Sequence, residues 1–222
     1  GHPLADQIPP GVEKAPARAE LGISEVARCV ALLPGSRLSE VGRLTTPMFD
    51  AAAVLTRRYP GIYFLVPAAS ELIREHLETL LRQHPSLDCR VFSSNARQVV
   101  AATDLVVCAS GTATLEVMLI NRPMVVCYRL AGMTYTLAKR LRLVKSRFFA
   151  LPNILAAEPL VPELLQHEVT GERIAQEALN WLDNTELRAG LEERFGQLHQ
   201  QLRVDAASTA ARTVLDHINR QD

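Results

Sequence analysis

The sequence predicts an α/β fold built on a doubly wound parallel sheet. Three observations carry that reading. From Cys29 onward, short apolar runs alternate with segments of helical periodicity. The apolar runs are almost unbroken Val, Leu, Ile and Cys, as strands are when helices cover both faces. Beyond Tyr128 the strand pattern stops and helical segments continue to the end. Alternating strands and helices imply right-handed crossovers and parallel pairing, hence a Rossmann-like sheet with extra C-terminal helices.

The elements follow in order. CVALLP (29–34) is an apolar strand. TPMFDAAAVLTRRYP (46–60) is helical, with Thr46 as cap and Pro47 in the first turn, where a missing N–H costs nothing. IYFLVP (62–67) is the second strand, and ELIREHLETLLRQH (71–84) an amphipathic helix with Leu72, Ile73, Leu77, Leu80 and Leu81 on one side. CRVFSS (89–94), DLVVCAS (104–110) and PMVVCYR (123–129) are further strands, separated by helices at 96–103 and 112–120. The later helical candidates are 132–145, 160–167, 171–183, 185–202 and 204–220.

This divides the chain into three parts. Residues 1–24, rich in proline and charge, read as an extended linker; 25–183 form the sheet domain; 184–222 form a helical arm. Five terminal helices exceed what one sheet needs, so the arm is either a plain cap or a surface for another domain or subunit.

Composition narrows the function. Hydrophobic residues are 48% and charged residues 22% of the 222, an ordinary globular balance, and the net charge is zero, so nothing global argues for nucleic acid. No apolar run reaches the length that spans a bilayer, and none reads as a signal peptide. Cys29, Cys89, Cys108 and Cys127 sit in or beside strands, outside any CxxC pattern, and read as buried thiols of a reducing compartment. The six histidines are scattered without HxH or HExxH spacing, so no metal site is expected.

In open α/β sheets ligands bind beyond the carboxyl ends of the strands. The first strand ends in Pro34, Gly35, Ser36 and Arg37. Gly35 permits close backbone approach, Ser36 and freed N–H groups suit phosphate oxygens, and Arg37 adds a charged two-pronged donor. The alternative is a turn whose Arg37 pairs with Glu40. The fourth strand ends in Ala109, Ser110, Gly111 and Thr112, where small residues open a helix and Ser110 or Thr112 is placed to cap it. Glu116, one turn in, suits the vicinal hydroxyls of a ribose, or is simply an acidic residue in a first turn. In strand order 3-2-1-4-5 both turns flank the switch point and face one ligand, a nucleotide or sugar nucleotide. Neither turn carries the GxGxxG fingerprint.

The stretch 128–149 holds Arg129, Lys139, Arg140, Arg142, Lys145 and Arg147 and no acidic residue. It reads as a basic amphipathic helix, either on an anionic membrane surface or as a solvated cover of the sheet. In LPNIL (151–155), Asn153 offers an amide to a turn or to a site.

ALLPGSR, ASGTATLE, RPMVVCYR, LPNILA and VPELLQ, in this order and spacing, resemble the lipid-A-disaccharide synthase family over most of the chain. The resemblance implies the C-terminal half of a two-domain GT-B glycosyltransferase, inverting and metal-independent, with UDP held by this half. It implies transfer of 2,3-diacylglucosamine from UDP-2,3-diacylglucosamine to lipid X (2,3-diacylglucosamine 1-phosphate) in lipopolysaccharide assembly. By motif, Arg37 and Asn153 match residues needed for activity. Ser110, Gly111, Thr112 and Glu116 match the UDP-binding turn and helix, and Tyr128 and Arg129 lie near that pocket. The general base is expected outside these residues, so this chain alone is expected to bind UDP without turnover. GHPLADQIP matches a mid-chain stretch of the family. The expected partners are the enzyme's own N-terminal half, the anionic cytoplasmic face of the inner membrane, and a second copy through the C-terminal helices. Rival readings are another UDP-N-acetylglucosamine-dependent transferase or epimerase, and a non-catalytic nucleotide-binding module.

Overall fold

The computed structural model of the chain describes residues 1–93, 95–130, 147–206 and 208. Its centre is a six-stranded parallel sheet of order β3-β2-β1-β4-β5-β6. The strands are β1 (Cys29–Leu33), β2 (Tyr63–Pro67), β3 (Cys89–Phe92), β4 (Leu105–Ala109), β5 (Met124–Tyr128) and β6 (Glu163–Leu165). The order reverses between β1 and β4, paired from Val30↔Leu105 to Leu33↔Cys108. This is the expected order with one strand added at the β5 edge.

Helices cover both faces. They are α1 (Pro3–Gln7), α2 (Lys14–Leu21), α3 (Leu38–Arg58), α4 (Glu71–Leu81), α5 (Ala96–Ala102), α6 (Thr112–Leu119), α7 (Leu151–Ala156), α8 (Gly171–Asp183) and α9 (Thr185–Leu202). Packing sorts them into two layers, with α3 between α4 and α8 on one face, and α5 and α6 among α2, α7 and α9 on the other. Central strands β1, β4 and β5 are buried almost throughout, which explains their uninterrupted apolar sequence. Cys29, Cys108 and Cys127 are buried, Cys89 is half-buried, and all four are free. Burial pushes the Cys29, Cys89 and Cys108 thiols up to about 12, with carboxylates Asp104 and Asp88 adding to the rise at Cys29 and Cys89 respectively.

Three expectations are corrected. Residues 1–24 are not an extended run, because α1 and α2 lie within them, α1 capped by the His2 side chain and α2 closed by Gly22 in the left-handed conformation. Helix α3 starts at Leu38 rather than Thr46, with Pro47 in its interior. The buried residues Val41, Leu44, Thr45 and Met48 continue its apolar face upstream of the proline. Pro47 cannot donate to the carbonyl of Arg43, and an arginine elsewhere takes that acceptor, as described below. The segment 160–167 is a short edge strand and a 3₁₀ turn (Gln166–Glu168) rather than a helix.

The described part of the C-terminal arm packs on its own chain. Leu191, Phe195 and Leu198 of α9 are buried, the buried His199 ring bonds to the Ala5 carbonyl at 3.2 Å, and His2 N donates to Leu202 O. The basic segment predicted as a helix over 132–145, and nearly all of 204–220, lie outside the described residues.

Candidate functional site

A cleft of about 520 Å3 opens at the carboxyl ends of the strands, over the β1/β4 switch point. One wall is the β1 turn, with Gly35, Ser36 and Arg37. The opposite wall is the β4 turn, with Ser110, Gly111 and Thr112. The end of β2 (Pro67 and Ala68) and Ala96 of α5 complete it.

Each wall follows from its local sequence. Gly35 has φ +122°, where only glycine is unstrained, and a Cβ there would come within 2.8 Å of the Glu40 Cβ. The backbone must therefore turn tightly before α3. Arg37 is the extended N-cap of α3, and its carbonyl accepts from the amides of Glu40 and Val41. Its guanidinium donates to Glu40 Oε1 at 3.0 Å, yet its side chain remains 77% exposed. An ion pair so exposed contributes about 0–1 kcal/mol, and an anion in the cleft can displace it.

Gly111, with φ +155°, is the N-cap of α6 and has no side chain to place there. Neither α3 nor α6 has a side-chain cap. Of the other helices, α4, α5, α8 and α9 are capped by Ser70, Asn95, Thr170 and Asn184, whereas α2 and α7, like α3 and α6, have no side-chain cap. The two uncapped helices flanking the switch point thus point their positive ends into one cleft, a ready arrangement for phosphate. Neither Thr112 nor Ser110 acts as the predicted cap. Ser110 Oγ instead donates to Phe149 O at 3.0 Å.

Four predicted residues lie outside the cleft lining. Glu116, on α6, accepts a 2.9 Å hydrogen bond from Arg97 Nε, and its side chain is 28% exposed. Tyr128 stacks on Phe149, with ring centroids 5.5 Å apart. Arg129 donates to three backbone carbonyls: Gln166 O at 3.3 Å, Val169 O at 2.8 Å and Arg43 O at 3.2 Å. The last is the acceptor that Pro47 leaves open within α3. Arg129 therefore ties β5, α3 and the approach to α8 together, with all three of its guanidinium nitrogens donating to the protein's own backbone. Asn153 is 1% exposed. Its amide donates to Val161 O and Glu163 Oε1 and accepts from Val161 N.

Two residues beside the site escaped sequence reasoning. Arg97 holds Glu116, and the sequence signal was its place at the start of a helix that follows the third strand. Glu163 sits in VPELLQ, which reads as helical when taken alone. Among the described residues, no group of three or more His, Cys, Asp or Glu side chains is placed to hold a metal. No helix among the described residues is long and apolar enough to cross a membrane.

The family model described as lipid-A-disaccharide synthetase matches residues 1–214. The chain belongs to that family. A lipid-A-disaccharide synthase of Alcanivorax borkumensis is 44% identical over 214 residues, covering 96% of this chain and 55% of that protein. One from Xanthomonas campestris is 43% identical over 224 residues, covering 100% of this chain and 51% of that protein. The chain thus spans about half the length of the lipid-A-disaccharide synthases it matches. Among solved structures, the C-terminal domain of the group 1 glycosyl transferase LpcC of Francisella tularensis aligns with TM-score 0.62 at 15% identity, covering 90% of this chain and 97% of that one. The UDP-GlcNAc 2-epimerase of Neisseria meningitidis, solved bound to UDP-GlcNAc, aligns with TM-score 0.62 at 13% identity, covering 91% of this chain and 49% of that one. At these identities the structures show the fold alone, the Rossmann-like α/β sheet domain that the C-terminal domain of that glycosyl transferase also has.

Proposed function

We propose that this chain is the UDP-binding part of an inverting glycosyltransferase of lipid A assembly. The whole enzyme would transfer 2,3-diacylglucosamine from UDP-2,3-diacylglucosamine to lipid X and release UDP. One observation carries the reading: in a member of this family, the turns at Gly35 and Gly111 converge on one cleft, each opening an uncapped helix. Breaking the glycosidic bond builds negative charge on the departing diphosphate. Helix N-terminal N–H groups and the Arg37 guanidinium would stabilise that charge without a metal or cofactor. A cleft partly shielded from water strengthens these interactions. Glu116, held by Arg97 one turn further along α6 and outside the cleft lining, would receive the ribose hydroxyls. The general base would come from the enzyme's other half. An acylated donor and acceptor would draw the reaction to a membrane surface, which in this reading is the cytoplasmic face of the inner membrane. The basic stretch 128–149 suits an anionic surface, and the C-terminal residues suit contact with a second copy.

Calorimetry of this chain with UDP tests the reading. Saturable binding at one site, competed by a UDP-sugar, is expected. A folded chain that binds no UDP overturns it. In the whole enzyme, UDP release should require acylated substrates and should fail with UDP-N-acetylglucosamine. The reverse preference would move the chain to a different transferase. Co-sedimentation with vesicles containing anionic lipid, lost in high salt, is expected for the membrane placement, and no co-sedimentation would count against it.

A further inference from the structure

The segment 149–151 enters α7 beside Ser110 of the β4 turn, and its backbone is held by side chains rather than by the sheet. Phe149 N donates to Glu163 Oε2 and Ala150 N to Glu163 Oε1, both at 2.9 Å. Leu151 N donates to Thr114 Oγ1 at 3.2 Å. Phe149 O accepts from Ser110 Oγ at 3.0 Å. One carboxylate thus grips two successive amides, and the carbonyl beside them receives the hydroxyl of a residue that lines the cleft. The carboxylate is itself oriented by Asn153 Nδ2, at 2.8 Å. Asn153 is buried beyond reach of the cleft, and its amide has no donor to spare. Asn153 bonds to Val161 and Glu163, and it is Glu163 that connects it to this segment and to Ser110.

We infer that Glu163 is a positioning residue. Together with Asn153 it clamps 149–151 against Ser110 and so sets the β4 wall of the cleft. The physical basis is direct. A carboxylate has two equivalent acceptor oxygens, and both are used here on adjacent N–H groups, an arrangement no neutral side chain reproduces. In Glu163→Gln one oxygen becomes an NH2 group facing another N–H, so one amide loses its partner. In Asn153→Ala the carboxylate loses the donor that fixes its plane. Either change frees Phe149 O to shift, and the Ser110 hydroxyl then turns toward whatever else it can reach.

The consequence for ligand binding rests on the UDP reading above, whereas the clamp itself does not, so two measurements are combined. Hydrogen exchange on this chain should show faster exchange at the amides of 149–151 in Glu163→Gln and Asn153→Ala, with β1 and β4 amides unchanged. Unchanged exchange at 149–151 overturns the clamp. Calorimetry should show UDP binding weakened about tenfold in both variants, the scale of losing one charge-assisted hydrogen bond. Ser110→Ala added to Glu163→Gln should weaken it less than about twofold further, because coupled residues do not add. Unchanged affinity in a folded Glu163→Gln, or effects of Ser110→Ala and Glu163→Gln that multiply in full, overturns the route through Ser110 and leaves Glu163 a stabilising residue only. If the unsubstituted chain binds no UDP, the nucleotide reading fails by itself and the exchange pattern alone decides the clamp. Should Glu163→Gln fail to fold, Glu163→Asp, which keeps the charge but withdraws its oxygens from the amides, takes its place in both measurements.

Discussion

The arginines of the amino end of the sheet and Arg37 of the carboxyl end are used in opposite ways, whereas Arg129, also at the carboxyl end, is used like the former. At the amino end, Arg18 has only 5% of its side chain exposed and donates to Ala102 O at 2.8 Å and to Asp104 Oδ2 at 2.9 Å. Arg122 there donates to Val12 O, Ala101 O, Ile120 O and Asn121 O. These two guanidinium groups join the amino-terminal segment to the strand ends, each donating to several of the protein's own acceptors, while Arg122 Nε is buried without a partner among the described residues. At the carboxyl end, Arg37 lines the cleft with, among the described residues, Glu40 as its one ion-pair partner. The same residue type, in similarly unremarkable sequence surroundings, is a fastener in one place and an open charge in the other. The difference is not net charge but the count of satisfied donors, which sequence does not display.

Substitution at each end should therefore break different things. The largest effect is expected at the amino end. Arg18→Ala strips buried carbonyls and Asp104 of their donor and should lower unfolding free energy by about 3–5 kcal/mol, the cost of breaking a buried charged network from one side. Urea unfolding with an unchanged slope checks this, and UDP affinity of the folded fraction should stay the same. A loss under about 1 kcal/mol would place Arg18 with ordinary surface arginines.

Arg37→Ala should give the mirror image. Unfolding free energy should change by less than about 1 kcal/mol, because only an exposed pair is lost. UDP affinity should fall by about tenfold to a hundredfold, the range for one hydrogen bond to a charged group. In the whole enzyme turnover should fall severely, because that contact strengthens as charge builds on the leaving group. Near-normal turnover would remove Arg37 from the mechanism.

A smaller effect tests the amino end through pH. Burial alone would raise the Asp104 carboxyl, but hydrogen bonds from Lys14 and the Cys29 amide, with the charges of Lys14 and Arg18, outweigh it and hold it below the ordinary carboxylate value. The folded chain therefore binds this proton less readily than the unfolded chain. Its stabilising contribution is complete above the unfolded carboxylate pKa and is lost as pH falls through the depressed folded value. Asp104→Asn should flatten that part of the acid limb of stability against pH. An unaltered limb would mean that other carboxylates carry it.

The sheet order and both cleft turns were legible in the sequence, because unbroken apolar strands and glycines at strand ends are local signals. What was hidden depended on partners far along the chain. The start of α3 was obscured because Pro47 reads as a first-turn residue. It is tolerated inside the helix where Arg129, 82 positions later, takes the Arg43 carbonyl. The same bond explains why Arg129 does not line the cleft despite its place at the end of β5. The strand β6 has three residues, too few for any period, and is defined by pairing with β5 from Val126↔Glu163 to Tyr128↔Leu165. Asn153 looked equally suited to a turn or a site. It is buried, with its amide bonded to Val161 and Glu163, partners that lie in VPELLQ rather than in LPNIL.

The smallest expected effect gives the sharpest contrast between the two ends. Glu40 is the only partner shown for the Arg37 guanidinium among the described residues, and it sits against the Gly35 turn where an anion would lie. Its carboxylate therefore competes with an incoming phosphate in two ways, by neutralising Arg37 and by occupying space. Glu40→Gln keeps the size and removes the charge. Stability should change by no more than about 0.5 kcal/mol, because the pair is exposed. UDP should bind a few times more tightly, since a like charge beside the site is gone and Arg37 is released. The gain should shrink as salt rises and shortens the screening length. Neutralising Asp104, the partner of Arg18, should do the reverse: it should cost stability and leave UDP affinity alone. If Glu40→Gln weakens UDP binding instead, the carboxylate orients Arg37 rather than competing for it, and the β1 wall is preassembled before ligand arrives.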